Sequence, residues 1–212
     1  MILRVFCLLL AVPSIVLASE QKETFDGSTE LPAGWQSGIT GHGTAKWEVI
    51  VEDSATSKPN VLRQSGEATF CWAAKADAEL RDGFVEVKFK PISGREDQAG
   101  GIVWRFKDAG NYYLVRANAL EGNVVLYKMV NGKRSSLQVK GRMFGYGLDA
   151  KVPTGKWSTL RVEFAGKLFT VIFNGKKLFE VEDETFADAG GVGVWTKADS
   201  VTLFDDFVFG TK

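Results

Sequence analysis

Period-two alternation is the feature that most restricts what this chain can become. In "FVEVKFK" (84–90), Val85, Val87 and Phe89 share one face, and Glu86, Lys88 and Lys90 share the other. "LRVEF" (160–164) repeats the pattern, with Leu160, Val162 and Phe164 opposed to Arg161 and Glu163. A repeat of two fits the pleat of a strand and not the turn of a helix. No stretch sustains a helical period with caps. Strands are expected near 22–26, 46–51, 60–64, 68–72, 83–90, 100–107, 111–118, 122–130, 133–139, 157–164, 167–173, 176–181, 191–197 and 201–209. Asn131-Gly132 and Asn174-Gly175 sit between strand-like runs, where both residues tolerate positive φ and close a hairpin. "EGN" (121–123) and "AGK" (165–167) mark two more reversals. Consecutive strands joined by short turns define an all-β, antiparallel sandwich or barrel. One long Gly-rich stretch, "GRMFGYGLDAKVPTG" (141–155), breaks the pattern, as functional or mobile loops do.

The first residues read as a leader. "VFCLLLAVPSIVL" (5–17) follows Arg4, with Val16 and Ala18 in the small-residue positions of a cleavage site. The run is shorter than the roughly 20 residues that span a bilayer. The expectation is a signal peptide over 1–18, cleaved after Ala18, and a single β-sandwich domain over 19–212. The protein would then be exported to the periplasm or outside the cell. Cys7 would leave with the leader, so Cys71 would stand alone and no disulfide would form. The core would rest on large aromatics, 15 Phe and 6 Trp among 212 residues. Charge is balanced, 26 Lys+Arg against 26 Asp+Glu, which excludes the strong basic excess of a dedicated nucleic-acid binder.

Several chemistries lack their residues. His42, in "GHG", is the one histidine, so no multi-histidine zinc site forms, and no nucleophile motif accompanies it. Cys71 lies in the apolar "ATFCWAA", a setting for an inert core thiol. Carboxylate pairs remain open, because glycoside hydrolysis needs only two acids at a set spacing. Glu180, Glu182, Asp183 and Glu184 read as a solvated turn. Asp205 and Asp206, between apolar residues in "LFDDFVF", are expected to send at least one carboxylate inward. With Asp26 they form a candidate structural Ca²⁺ site, and a backbone-bonding role is the competing reading.

The positive signal is a pair of arginines inside strands. In 102–107 Arg105 falls opposite Ile102, Trp104 and Phe106. In 112–118 Tyr112, Arg116 and Asn118 fall opposite Tyr113, Val115 and Ala117. Arg105, Tyr112, Arg116 and Asn118 are therefore expected together on one face, with Lys128 joining from the next strand. Lys197 and Asp199, in "WTKADS", are candidates for its rim. Forked guanidinium donors beside an aromatic ring suit a saccharide, and two positive charges favour an acidic or oxidised one. The bland alternative is that these side chains pair with acids on adjacent strands. Asp108 and Glu121, at the strand ends beside the arginines, are the candidate catalytic acids.

Three segments carry a family resemblance: "GGIVWRFKDAGNYYLVRAN", "GKWSTLRVEFAGKLFTVIFNGKKLFEVED" and "GVGVWTKADSVTLFDDF". Through them the chain resembles the concanavalin A-like jelly rolls of the 3-keto-disaccharide hydrolase and laminin-G-like type, over about residues 24–209. The resemblance implies two curved antiparallel sheets with a concave face open to saccharides, and it brings in glycoside hydrolysis. The Glu-x-Asp-x-x-Glu motif of jelly-roll glucanases is absent, since Glu-x-Asp occurs nowhere in the chain. The leading expectation is an exported, non-catalytic carbohydrate-binding sandwich without a cofactor. The alternatives are a hydrolase acting on 3-keto-disaccharides and a protein-interaction or adhesion module using the same face.

Overall fold

The computed structural model describes residues 20–211; the leader expected over 1–18, with Cys7, lies outside the described residues. In chain order the strands are β1 (Glu20–Glu23), β2 (Trp35–Thr44), β3 (Trp47–Val51), β4 (Asn60–Gln64), β5 (Glu67–Leu80), β6 (Gly83–Ser93), β7 (Ala99–Asp108) and β8 (Asn111–Asn118). They continue as β9 (Asn123–Val130), β10 (Lys133–Ser136), β11 (Leu148–Asp149), β12 (Ser158–Ala165), β13 (Leu168–Phe173), β14 (Lys176–Glu182), β15 (Gly190–Ala198) and β16 (Val201–Gly210). No helix occurs among the described residues. The β6 sheet runs β14-β13-β12-β6-β16-β4-β3, with β1 also along β16. The β8 sheet runs β10-β9-β8-β7-β15-β5-β2, with β11 also along β9. This is the concanavalin A-like jelly roll of two curled antiparallel sheets.

The alternation read from the sequence places the core. Val85, Val87, Phe89, Leu160, Val162 and Phe164 meet Ile102, Trp104, Tyr113 and Val115 between the sheets. Their polar neighbours face outward, where Arg161 pairs with Glu163 at 3.0 Å and with Glu86 at 3.5 Å. Both Asn-Gly turns take positive φ at each residue, 49° and 77° for Asn131-Gly132 and 48° and 76° for Asn174-Gly175. That is the geometry that matches the twist of paired strands.

The other face of the β8 sheet buries a second layer, which includes Trp72, Val103, Phe106, Tyr112, Tyr127 and Trp195. The sheet curls until its edge strand β2 meets the β7–β8 turn. Thr40 donates a hydrogen bond to the Ala109 carbonyl, and its Oγ1 lies 3.0 Å from the Tyr112 hydroxyl. The concave face is thus largely filled by the chain's own rings. Trp195 and Cys71 are core residues, both fully buried.

One expectation about elements needs correction, and the paired acids near the chain end need placing. β2 has no counterpart among the expected strands, because "WQSGITGHGT" lacks alternating apolar residues. Asp205 and Asp206 are both buried, as expected of at least one of them, but under the 54–57 loop and not among the apolar side chains between the sheets. A bulge interrupts the pairing of β16 with β6 between Asp205 and Val208, and Asp206 takes φ 47°. The extra residue lets Phe204 and Phe207 both face the space between the sheets while both acids are buried on the other side, under the 54–57 loop. There Asp205 accepts from the Thr56 and Ser57 backbone N–H groups at 2.7 and 2.8 Å. Asp206 meets the Lys88 and Lys22 ammonium groups, each at 2.7 Å. Asp26 accepts instead from the Asn60 N–H at 2.8 Å. The candidate Ca²⁺ ligands are thus engaged with donors, and among the described residues no group of three or more such side chains is placed to hold a metal ion.

Candidate functional site

Arg105 and Arg116 do not share a face. Arg105 has φ 46°, and the β7–β8 pairing shifts register after Trp104. This bulge lets Phe106 join Val103 in the concave layer and turns Arg105 back toward the space between the sheets. Its guanidinium, buried, lies against the rings of Phe164 and Phe169 at 5.8 and 5.5 Å. It donates to the carbonyls of Arg81 at 3.1 Å, Phe186 at 2.6 Å and Gly166 at 2.7 Å. Arg105 is a clamp on three loops. Burial lowers its pKa.

Lys128 also faces away from Arg116. It stands opposite Tyr113 in the register and pairs with Asp183 at 2.7 Å. Tyr112 does lie on the concave face, but it is fully buried against Phe106 and burial pushes its phenol up to about 12. Asp108 caps the β7–β8 turn, accepting from the Gly110 N–H at 2.7 Å. That is the far end of β8 from Glu121, so the two candidate acids do not meet.

Arg116 and Asn118 do come together, with Glu121. Arg116 Nη1 and Nη2 donate to the two Glu121 carboxylate oxygens at 2.7 and 2.8 Å. Nη2 also donates to Asn123 Oδ1 at 2.6 Å. The bidentate pairing draws the Glu121 pKa down and keeps it a carboxylate. Asn118 donates to Asp97 Oδ1 at 2.5 Å, and Asp97, itself buried, receives the Lys197 ammonium on its other oxygen. Asp199 anchors the loop beneath, accepting from the backbone N–H groups of Arg95 at 2.5 Å, Glu96 at 3.0 Å and Asp97 at 3.1 Å. Of the two expected rim residues, Lys197 faces open space and Asp199 positions the loop.

That open space is a cleft of about 550 Å³, lined by His42, Gly43, Glu67, Phe70, Glu96 and Lys197 among others. It opens where the strands lose register. The β2–β5 pairing slips between Thr40 and Gly43, and the β15–β5 pairing slips between Lys197 and Ala198. Gly43, at φ 110°, allows the closest approach beneath it, since a Cβ there would stand 2.4 Å from the Glu67 carbonyl oxygen. Phe70 forms an aromatic wall, stacked on Trp195 with centroids 5.3 Å apart. Sequence reasoning did not single out Phe70, Glu67, Glu96 or Asp97. They belong to a strand end and a loop, and only the bulges bring them to one place.

Two curled sheets with a polar cleft on the concave side place the molecule among the lectin-like and glucanase-like jelly rolls. By sequence the chain belongs to the 3-keto-alpha-glucoside-1,2-lyase-like domain family, whose pattern matches residues 20–205. Among solved structures it is similar to the carbohydrate-binding module CBM66 from Bacillus subtilis, with TM-score 0.64 and 19% identity over 82% of this chain and 93% of that one. The cellulose-induced protein Cip1 matches with TM-score 0.63 and 13% identity, over 89% and 96%. A Bacillus licheniformis beta-glucanase matches with TM-score 0.55 and 13% identity, over 92% and 99%. No curated protein matches the sequence.

Proposed function

We propose that this protein binds a saccharide in the cleft between β2, β5 and the end of β15, and that it acts outside the cytoplasm after losing the leader expected over 1–18. The observation that carries this is the cleft itself. It is of ligand-pocket size, and it joins the Phe70 ring to the Lys197 ammonium on a face otherwise closed by its own aromatics. A pyranose presents an apolar face to a ring and hydroxyls to charged donors and acceptors. Hydrolysis by a carboxylate pair needs an acid whose pKa is raised. The candidate acid Glu121 is instead paired with Arg116 and the rim candidate Asp199 with backbone N–H groups, and both are shifted down. Binding is therefore the reading we favour. A glycan array followed by calorimetry tests it. Phe70→Ala and Lys197→Gln should each weaken binding about tenfold or more, which corresponds to about 1.4 kcal/mol. A wild-type protein that binds no glycan removes the proposal.

One observation favours a second reading. His42 lines the same cleft as Lys197, in a chain whose family is named for 3-keto-alpha-glucoside 1,2-lyase chemistry. The hydrogen on the carbon next to a ketone is acidic, and an imidazole is suited to remove it. Release of the aglycone from a 3-keto-α-glucoside by wild type, lost in His42→Ala, would establish an enzyme. No turnover leaves the binding protein.

A further inference from the structure

The positive charge available to a ligand comes from neither arginine that the sequence singles out. Arg105 is spent on backbone carbonyls and Arg116 on Glu121. Arg134, on β10, differs. It stands opposite Met129 in the register, which puts it on the concave side. Its guanidinium carbon lies 4.4 Å from the Tyr127 ring centre, 4.8 Å from that of Phe70 and 5.9 Å from that of Trp195. No ion pair or side-chain hydrogen bond engages it among the described residues, and its Nη1 is buried without a partner. Arg116 approaches the same Tyr127 ring at 5.7 Å, so two cations flank one ring and only Arg116 has its carboxylate.

A buried charged donor left unpaired is costly, and such groups in native proteins are met by an ion, a water or a ligand. Here the group is a half-buried planar fork beside three aromatic rings, and its Nε–Nη2 edge, unlike Nη1, is not buried and suits two-point bonding to a carboxylate. Phe70, one of those rings, is also the aromatic wall of the cleft. Glu67, which would repel an anion, lies three residues further along β5, roughly 10 Å of strand away. Glu96 is drawn to Lys197 at 3.7 Å.

We infer that the saccharide is acidic, a uronate-bearing glycan whose carboxylate pairs with Arg134 while its ring lies on Phe70. This rests on the saccharide-binding reading above, and the test separates the two. Galacturonate, glucuronate and mannuronate oligosaccharides are arrayed, each beside its methyl ester, and the best pair is then titrated by calorimetry. Wild type should bind the acid at least about tenfold more tightly than the ester. Arg134→Gln should bring the acid down to the ester's affinity and leave the ester unchanged, and Arg134→Lys should restore part of the preference. Melting temperatures of both variants within a few degrees of wild type show that the loss is not unfolding. Equal binding of acid and ester, or an acid preference that survives Arg134→Gln, overturns this inference and leaves the binding site standing. No binding to uronates alongside binding to neutral glycans on the same array does likewise. Silence on every glycan overturns both.

Discussion

A carboxylate between Phe204 and Phe207 would ordinarily resist ionising, because burial disfavours its charged form, yet Asp206 has its pKa lowered to about 2. Hydrogen bonds from Lys22, Lys88 and Thr56 outweigh the burial. In the unfolded chain the group titrates near 3.9, so between pH 4 and pH 2 the unfolded state binds more protons. The stability Asp206 contributes is therefore present above pH 4 and lost as pH falls through 2. Urea midpoints measured from pH 5 to pH 2 should fall less steeply in Asp206→Asn than in wild type; parallel curves would refute the coupling. The arginines carry a complementary lesson. Alternation assigned Tyr112, Arg116 and Asn118 to the correct side of β8, since that strand pairs without a bulge along its length. It failed for Arg105 because one residue at positive φ reverses every later assignment on the strand.

At the level of elements, β2 is the strand that composition hides and tertiary structure requires. Its "SGITGHGT" segment is Gly-rich and half exposed, and it is ordered by pairing with β5 along Trp35–Thr40. Closing the curl depends on Thr40, whose hydroxyl meets both the Ala109 carbonyl and the Tyr112 hydroxyl. Thr40→Val keeps the shape and removes both bonds, leaving buried polar groups unmet. We expect a loss of about 1–3 kcal/mol in urea unfolding. A change within about 0.3 kcal/mol would mean that the edge is held by packing alone. β9 shows a different limit. "NVVLYKMV" is apolar on both faces because both faces are buried, in two separate layers. Such a strand carries no internal sign of which side Lys128 takes.

Across the whole molecule, one sheet serves two cores. Cys71 sits in β5 between β2 and β15, with Ile39 and Thr196 as cross-strand partners, and it is fully buried. Burial also pushes its thiol pKa up. In protein spanning residues 19–212, an aromatic disulfide reagent should therefore label Cys71 only as fast as the sandwich opens, with the rate rising in urea. Complete labelling within minutes in native buffer would show that the β2 edge opens by itself.

The sequence by itself determined the all-β class, the core faces of β6, β8 and β12, and both Asn-Gly hairpins. Each depends on residues within a few positions of one another, where pleat and turn geometry act. Tertiary structure alone decided where the cleft opens, that Arg105 turns inward, and that Arg116 is paired with a carboxylate while Arg134, among the described residues, is not. Those outcomes come from bulges and from the curl that joins β2 to β8. Both are settled by packing between residues far apart in the chain, which no local pattern records.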